Sequence, residues 1–393
     1  MAVPKIRIKG FDKEYNTTTI GNLCSVNRGV RITRKDLKES GKYPVYQNTD
    51  YPMGFFKNFN VNANNPFVIV GGSAGLIGFC DKNFWAADDC VFFGDTPNIN
   101  KIYLYYLLLF NQVEIKKNVR GSSVPRLDRS VLKELNITIP ECAEQQAIAD
   151  YFQSLDSLIE ATGKKIATLK QTKQASLQSM FPQEGETKPR IRFKGFTDEW
   201  KMVEIGKYGD TYSGLSGKSK EDFGKGNAKY ITFLNVLTNA QINTSILESV
   251  DVRTGERQNA VKKGDILFNT SSETPEEVGL CSVLLEDMPN VYLNSFCFGF
   301  RSNNPAINSE FMVYLMRGHI GRSIMKVLAQ GATRYNLSKK RLCETLIPIP
   351  TNINEQKQIA EYFSNLDKQI SLQEQRLEKL KQIKSACLKN MFV

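Results

Sequence analysis

The sequence predicts a mixed α/β (α+β) chain written twice, and three observations carry that prediction. The segment Glu144 to Asp156, EQQAIADYFQSLD, returns 211 positions later as EQKQIAEYFSNLD, Glu355 to Asp367. The opening returns as well. Pro4 to Tyr15 reads PKIRIKGFDKEY and Pro189 to Trp200 reads PRIRFKGFTDEW, after which Ile20-Gly21 answers Ile205-Gly206 and Gly29 answers Gly214. Between these landmarks each copy carries short apolar or alternating runs bounded by glycine and proline, the pattern of strands. A period this long is no solenoid repeat. Arm, domain and helix in duplicate predict a pseudo-twofold molecule.

The elements follow in matching order. After Asn27 to Lys35 comes Tyr43-Pro-Val-Tyr-Gln-Asn48, whose counterpart is Tyr230-Ile-Thr-Phe-Leu-Asn235. Both read as half-buried strands ending in an amide. Val68 to Val70 then enters the turn Gly71-Gly-Ser-Ala-Gly75 and leaves through Leu76 to Cys80. The second copy has the same outline in Gly264 to Phe268, Asn269 to Ser272 and Gly279 to Leu284. Small polar residues between strands fit a loop close to a ligand, although an ordinary turn accounts for any one such loop. Apolar helices follow at Ile102 to Phe110 and Phe311 to Met316, then the loops Arg120 to Leu127 (RGSSVPRL) and Gln330 to Leu337 (QGATRYNL). Strands at Ile137 to Pro140 and Leu346 to Pro350 end in proline, and Pro182 to Lys188 is a polar linker between the copies. The predicted segments are a first domain at 1–143, a first long helix at 144–181, linker and second domain at 182–354, and a second long helix at 355–393.

Both long helices carry a heptad seam. Ile148, Phe152, Leu155, Ile159, Ile166 and Leu169 in the first match Ile359, Phe363, Leu366, Ile370, Leu377 and Leu380 in the second, with Met180 and Met391 beyond them. The polar breaks share a register, Thr162 with Gln373 and Lys173 with Lys384, and such breaks fix alignment at a cost in stability. A helix of about 38 residues is roughly 57 Å long at ~1.5 Å per residue. Its stripe needs a partner, either its own domain or the other helix.

Composition narrows the function. No signal peptide or membrane span is visible, eight cysteines are scattered without a Cys-x-x-Cys pair, and His319 is the only histidine. Neither a metal site nor a histidine-based catalytic constellation can be assembled, and a reducing cytoplasm is the natural setting. Net charge is +11, divided as +6 over 1–143, zero over 144–181, +3 over 182–354 and +2 over 355–393. Basic surfaces on two separate domains suggest a polyanion, nucleic acid first. Fragments that imitate catalytic motifs fail. Gly217-Lys-Ser219 has Tyr212 where a phosphate loop needs glycine. Asn65-Pro-Phe67 lacks the second proline of the adenine methyltransferase signature and reads as a turn before the Phe67 strand. Gly71 to Gly78 has the wrong glycine spacing for a dinucleotide, and Asp88-Asp89 reads as a solvated loop.

What remains is a binding surface. Arg28, Arg31, Arg34, Lys35, Arg120 and Arg126 in the first copy, and Lys218, Lys220, Arg334 and Lys340 in the second, lie in loops beside polar residues. Asn48, Ser73 and Ser122, with Asn235, Thr270, Ser271, Tyr335 and Asn336, complete the candidate DNA-binding set. Cations hold phosphates, while arginine and the amides can form paired bonds to base edges.

The two E-Q-x-x-I-A-x-Y-F-x-x-L-D helix starts, the arms ending in I-R-x-K-G-F and the loops at Gly121 to Leu127 and Gly331 to Leu337 together resemble the specificity subunits of type I restriction-modification systems. The resemblance covers the whole chain. It implies two target-recognition domains, each reading half of a bipartite, asymmetric DNA site, separated by two antiparallel helices. A ~57 Å spacer would correspond to roughly 17 bp at ~3.4 Å per pair. The implied partners are double-stranded DNA, two methyltransferase subunits and a restriction translocase, with no membrane. No cofactor is expected in this chain; S-adenosylmethionine, ATP and Mg belong on the partner subunits. The rival reading is a cytoplasmic coiled-coil scaffold with incidental basic faces, and a stand-alone enzyme comes third.

Overall fold

The computed structural model describes residues 3–94, 96–331 and 333–393. They fall into two compact units, Met1–Lys164 with Glu374–Val393, and Lys165–Gln373. The division therefore cuts through both long helices, Cys142–Ser179 and Ile353–Met391, instead of setting them apart as segments of their own. Each unit owns the first part of one helix and the last part of the other.

Within the first unit, a four-stranded antiparallel sheet has the order Ser25–Arg28, Cys90–Gly94, Asn65–Ile69, Ile77–Cys80. A three-stranded sheet places Tyr43–Tyr46 between Gly54–Phe56, antiparallel, and Trp85–Ala86, parallel. Asn16–Thr19 pairs with Asn136–Ile139. The second unit has the same plan: Gly209–Ser213, Cys297–Ser302, Ile266–Asn269, Cys281–Val283 in the larger sheet, Phe223–Ile231 between Glu248–Val250 and a parallel Val291–Leu293, and Lys201–Glu204 with Leu346–Ile349. The duplication seen in the sequence is a duplication of topology.

The repeated thirteen-residue motif explains how each frame is closed. Arg7 grips Glu144 with Nε and Nη2 at 2.9 and 2.8 Å, and Tyr15 donates to the same carboxylate. In the second unit Arg192 grips Glu355 at 2.6 and 2.8 Å, with the Trp200 indole N–H as third donor. Each carboxylate is nearly inaccessible to water, so its charge needs this fork of donors. The following glutamine is also tied down on both faces. Gln145 Oε1 accepts from Asn100 N and its amide donates to Pro140 O; Gln356 does the same with Asn308 N and Pro350 O. Asn100 and Asn308 in turn cap the apolar helices Lys101–Phe110 and Ser309–Arg317. The motif thus pins arm, strand end and helix start together.

Its apolar letters fill the cores. Phe152 stacks on Tyr106 at 4.7 Å and meets Phe392 at 5.9 Å, while Phe363 stacks on Tyr314 at 5.2 Å and on Phe181 at 5.7 Å. Ile148, Phe152, Leu155 and Ile166 are buried, as are Ile359, Phe363, Leu366 and Ile370; Ile159, Leu169, Leu377 and Leu380 are half-buried. The seam serves both of the expected partners. Ile148 and Phe152 join the core of their own unit, and Met391 and Phe392 from the far end of the other helix complete that core. Met180 and Phe181 do the same for the second unit.

The motif's last letter orients the pairing. Asp156 accepts from Tyr106 at 2.8 Å and pairs with Lys384 at 2.5 Å; Asp367 accepts from Tyr314 at 3.0 Å and pairs with Lys173. Tyr151 meets Cys387 at 3.3 Å and Tyr362 meets Ser176 at 2.9 Å. In both units the numbers rise on one helix as they fall on the other, so the helices run antiparallel. The lysines expected as polar breaks are the cross-helix ion pairs themselves.

Two local readings are corrected. Asn65 lies inside a strand, buried, with its amide exchanging bonds with Phe93 O at 2.8 Å and Phe93 N at 3.4 Å. The Tyr230 to Asn235 run is a strand only to Ile231. Thr232 caps a short helix, Phe233–Thr238, in which Asn235 is fully buried.

Candidate nucleic-acid interface

In each unit the loop before the last strand is folded back on itself and laid against the turn that follows the central strand. Arg120 and Arg126 exchange backbone bonds of 2.8 and 2.7 Å; Gln330 and Asn336 exchange bonds of 3.0 and 2.8 Å. The reversals use Gly121 at φ +93° and Gly331 at φ +136°. A Cβ at Gly331 would sit 1.9 Å from Arg334 O, so glycine is required there. Ala332 of the second loop lies outside the described residues. The next residue, Leu127 or Leu337, donates to Val70 O or Thr270 O at 2.9 or 2.8 Å. The glycine-rich turn and the loop, distant in sequence, form one surface.

A third segment joins them. Val70 N donates to Asp89 O at 2.8 Å, and Thr270 N to Phe296 O at 3.1 Å; Cys90 N returns to Ala87 O and Cys297 N to Asn294 O. These bonds equate Arg126 with Asn336, Gly71 with Ser271, and Asp89 with Phe296. Asp88-Asp89 is therefore no solvated loop. Asp89 pairs with Arg126 at 3.3 Å, and its side chain is 21% exposed against 62% for the arginine. Asp88 O accepts from Arg28 Nε at 2.6 Å.

Other candidates of the first unit gather nearby. Arg31, Arg34 and Asn48 line a cleft of about 1110 Å3 together with Gln47, Tyr51 and Asp88. Arg28, Arg31, Arg34, Lys35, Asn48, Ser73, Arg120 and Ser122 are all exposed. The Gly72 backbone lies against Asn48, where a Cβ would meet the asparagine Cβ at 3.1 Å.

The second unit is less uniform. Lys220, Arg334, Asn336 and Lys340 are exposed, while Thr270, Ser271 and Tyr335 are half-buried, with Ser271 and Ser272 paired in register to Asn336 and Tyr335. Lys218 turns inward. Its side chain is 5% exposed and its ammonium donates to Glu256 at 2.6 Å, which with Gln258 and the Arg253 N–H holds that carboxyl down at about 2. Asn235 is consumed internally, bonding Asn243 N and O at 3.0 and 2.9 Å. Both side chains are turned inward, whereas Asn48 is exposed and lines the cleft of the first unit.

Asp89 and Phe296 were absent from the sequence-derived set. Aligning Cys90 with Cys297, each heading a phenylalanine-rich strand, is the signal that places them at one position.

Comparison with known proteins covers nearly the whole chain. The family model described as the type I restriction modification DNA specificity domain matches twice, at residues 12–171 and 197–382. The specificity subunit of the type I restriction enzyme MjaVIII from Methanocaldococcus jannaschii is 22% identical over 95% of this chain and 90% of its own length. A putative type I specificity subunit of Mycoplasma genitalium is also 22% identical, over 99% and 96%. Among solved structures, the crystal structure of the type I restriction-modification S subunit from M. genitalium aligns with a TM-score of 0.70 at 21% identity, covering 100% of this chain and 99% of that one. A chain from a type I R-M structure, described for its complex assembly and conformational transition, aligns with a TM-score of 0.52 at 14% identity over 98% and 99%.

Proposed function

We propose that this chain, which belongs to the type I restriction-modification DNA specificity family, reads a bipartite and asymmetric double-stranded site, one half by each compact unit. The observation that supports this most directly is the doubled loop surface. Two copies of one frame present different side chains at equivalent positions, as two readers of different sequences would. Exposed Arg31, Arg34, Lys35 and Lys220 hold phosphates, and the residues around Arg126 and Asn336 meet base edges.

The chain carries no chemistry of its own in this reading. It positions two methyltransferase subunits, which bring S-adenosylmethionine for adenine methylation, and restriction translocase subunits, which bring ATP and Mg for cleavage. It works in the cytoplasm. Among the described residues no helix is long and apolar enough to cross a membrane, and no cluster of His, Cys, Asp and Glu could hold a metal. A coiled-coil scaffold without sequence preference gives no reason for two such loops to diverge on an otherwise matched frame.

The test is reconstitution. The purified chain should neither methylate nor cut DNA, and adding its methyltransferase and S-adenosylmethionine should produce adenine methylation at one two-part sequence, read by methylation mapping. Methyl transfer by the lone chain, or methylation without sequence preference in the complex, would refute the reading.

A further inference from the structure

The same structural position carries unlike side chains in the two units, and each fits its surroundings. In the first, Gly71 leaves room for Asp89 to tuck in, since a Cβ on Gly71 would stand 2.3 Å from Asp89 Oδ1. Asp89 then steadies one edge of Arg126, whose side chain stays 62% exposed. In the second unit Ser271 stands where Gly71 does, and its Cβ occupies that space. At the position equivalent to Asp89 stands Phe296, and its side chain is turned out to water, 61% exposed.

Phe296 is not loose. Its N–H donates to Asn294 Oδ1 at 2.9 Å and its carbonyl accepts from Thr270 at 3.1 Å, so its backbone is fixed beside the strand pair holding Asn336. A fixed, exposed phenylalanine on a basic chain's polar loop surface contributes nothing to the core. It provides an apolar contact for something that lands there. Arginine forks onto guanine O6 and N7, asparagine pairs with adenine N6 and N7, and an apolar side chain meets the thymine methyl.

We infer that this position reads the two half-sites by different chemistry: Arg126, steadied by Asp89, takes a guanine in one, and Asn336 with Phe296 takes an A·T pair in the other. The inference rests on the DNA-reading function proposed above and adds the base classes. Phe296 touches the thymine methyl; Asp89 is a positioning residue that acts through Arg126.

The experiment uses the full chain with its methyltransferase on duplexes bearing the mapped site. Phe296→Ala should reduce discrimination at one A·T pair of the second half-site on the order of 4-fold, the part carried by Asn336 remaining, and should leave the first half-site untouched. Replacing that pair's thymine by uracil, which lacks the methyl, should weaken wild-type binding on the order of 4-fold, the value of one buried methyl, and should not change the Phe296→Ala variant. Arg126→Ala should lose discrimination on the order of 10- to 100-fold at one G·C pair of the first half-site only. Because Phe296 is exposed, an unchanged melting temperature is expected and separates recognition from folding. Wild-type binding indifferent to uracil throughout the second half-site, or Phe296→Ala relaxing a G·C pair, would overturn the inference. So would unchanged discrimination in Phe296→Ala. Wild type that shows no sequence preference at all would overturn the DNA reading itself, a separable result.

Discussion

The two units differ least where the sequence repeats and most where the loops face outward. Glu144 and Glu355 each receive an arginine from their arm, Gln145 and Gln356 each tie a strand end to a helix cap, and Asp156 and Asp367 each receive a tyrosine and a lysine. Each of these side chains is engaged within its own unit. Across the loops, by contrast, Arg126 answers Asn336, Asp89 answers Phe296 and exposed Asn48 has a buried counterpart in Asn235. Identity between the copies marks closure of the frame, and under the proposed function the differences mark recognition. The shared motif therefore identifies the family without naming the bases it reads.

The largest way to break the comparison is to remove one copy. A fragment from Met1 to Pro182 lacks Met391 and Phe392, so its core around Ile148 and Phe152 is open, while its own Met180 and Phe181 have no unit to close. Each fragment carries what a second copy of itself lacks, and it should form a homodimer. With methyltransferase it should modify an inverted repeat of the first half-site. Light scattering and methylation mapping check the two parts; a folded monomer would show that the Met-Phe ends are not interchangeable, and a dimer modifying a non-palindromic sequence would break the rule of one unit for one half-site.

A milder break removes one aromatic ring. Phe181 and Phe392 are 1% and 4% exposed, and a phenylalanine truncated to alanine in a core costs about 3–5 kcal/mol. Phe392→Ala should lower amide protection across the first unit and Phe181→Ala across the second, measured by hydrogen exchange. Equal loss in both units from either variant would mean that the two cores open together.

Much of this was legible in the sequence. The heptad positions from Ile148 to Leu169 and Ile359 to Leu380 show which face packs, because burial imposes periodicity. Strands such as Ile77–Cys80 and Asn136–Ile139 announce themselves by apolar runs between turn residues. Hydrogen-bond destinations leave no such periodicity. Asn235 reads like Asn48 until Thr232 is recognised as a helix cap, and Glu144 looks like a charged helix start until Arg7, 137 residues away in sequence, is seen on it. Asp89 is acidic in a basic surface, and only its contact with Arg126 gives it a place there.

The smallest expected effect separates two neighbouring lysines of the second unit. Removing one cation that holds a phosphate should reduce the salt slope of DNA binding by ~1. Lys220 is exposed, and Lys220→Ala should show that reduction. Lys218 already spends its charge on Glu256 with 5% of its side chain exposed, so Lys218→Met should leave the slope unchanged. Its effect should appear in acid instead. Glu256 titrates at about 2 chiefly because Lys218 donates to it, and a depressed carboxyl contributes stability above its unfolded pKa of ~4.3 that fades as pH falls toward the folded value. Without Lys218 the Glu256 pKa should rise toward the ordinary range, seen by NMR titration, and the stability that acidification removes between about pH 4 and pH 2 should shrink. A reduced salt slope in Lys218→Met, with Glu256 unmoved, would put Lys218 on the DNA after all and make the second unit's basic surface resemble the first.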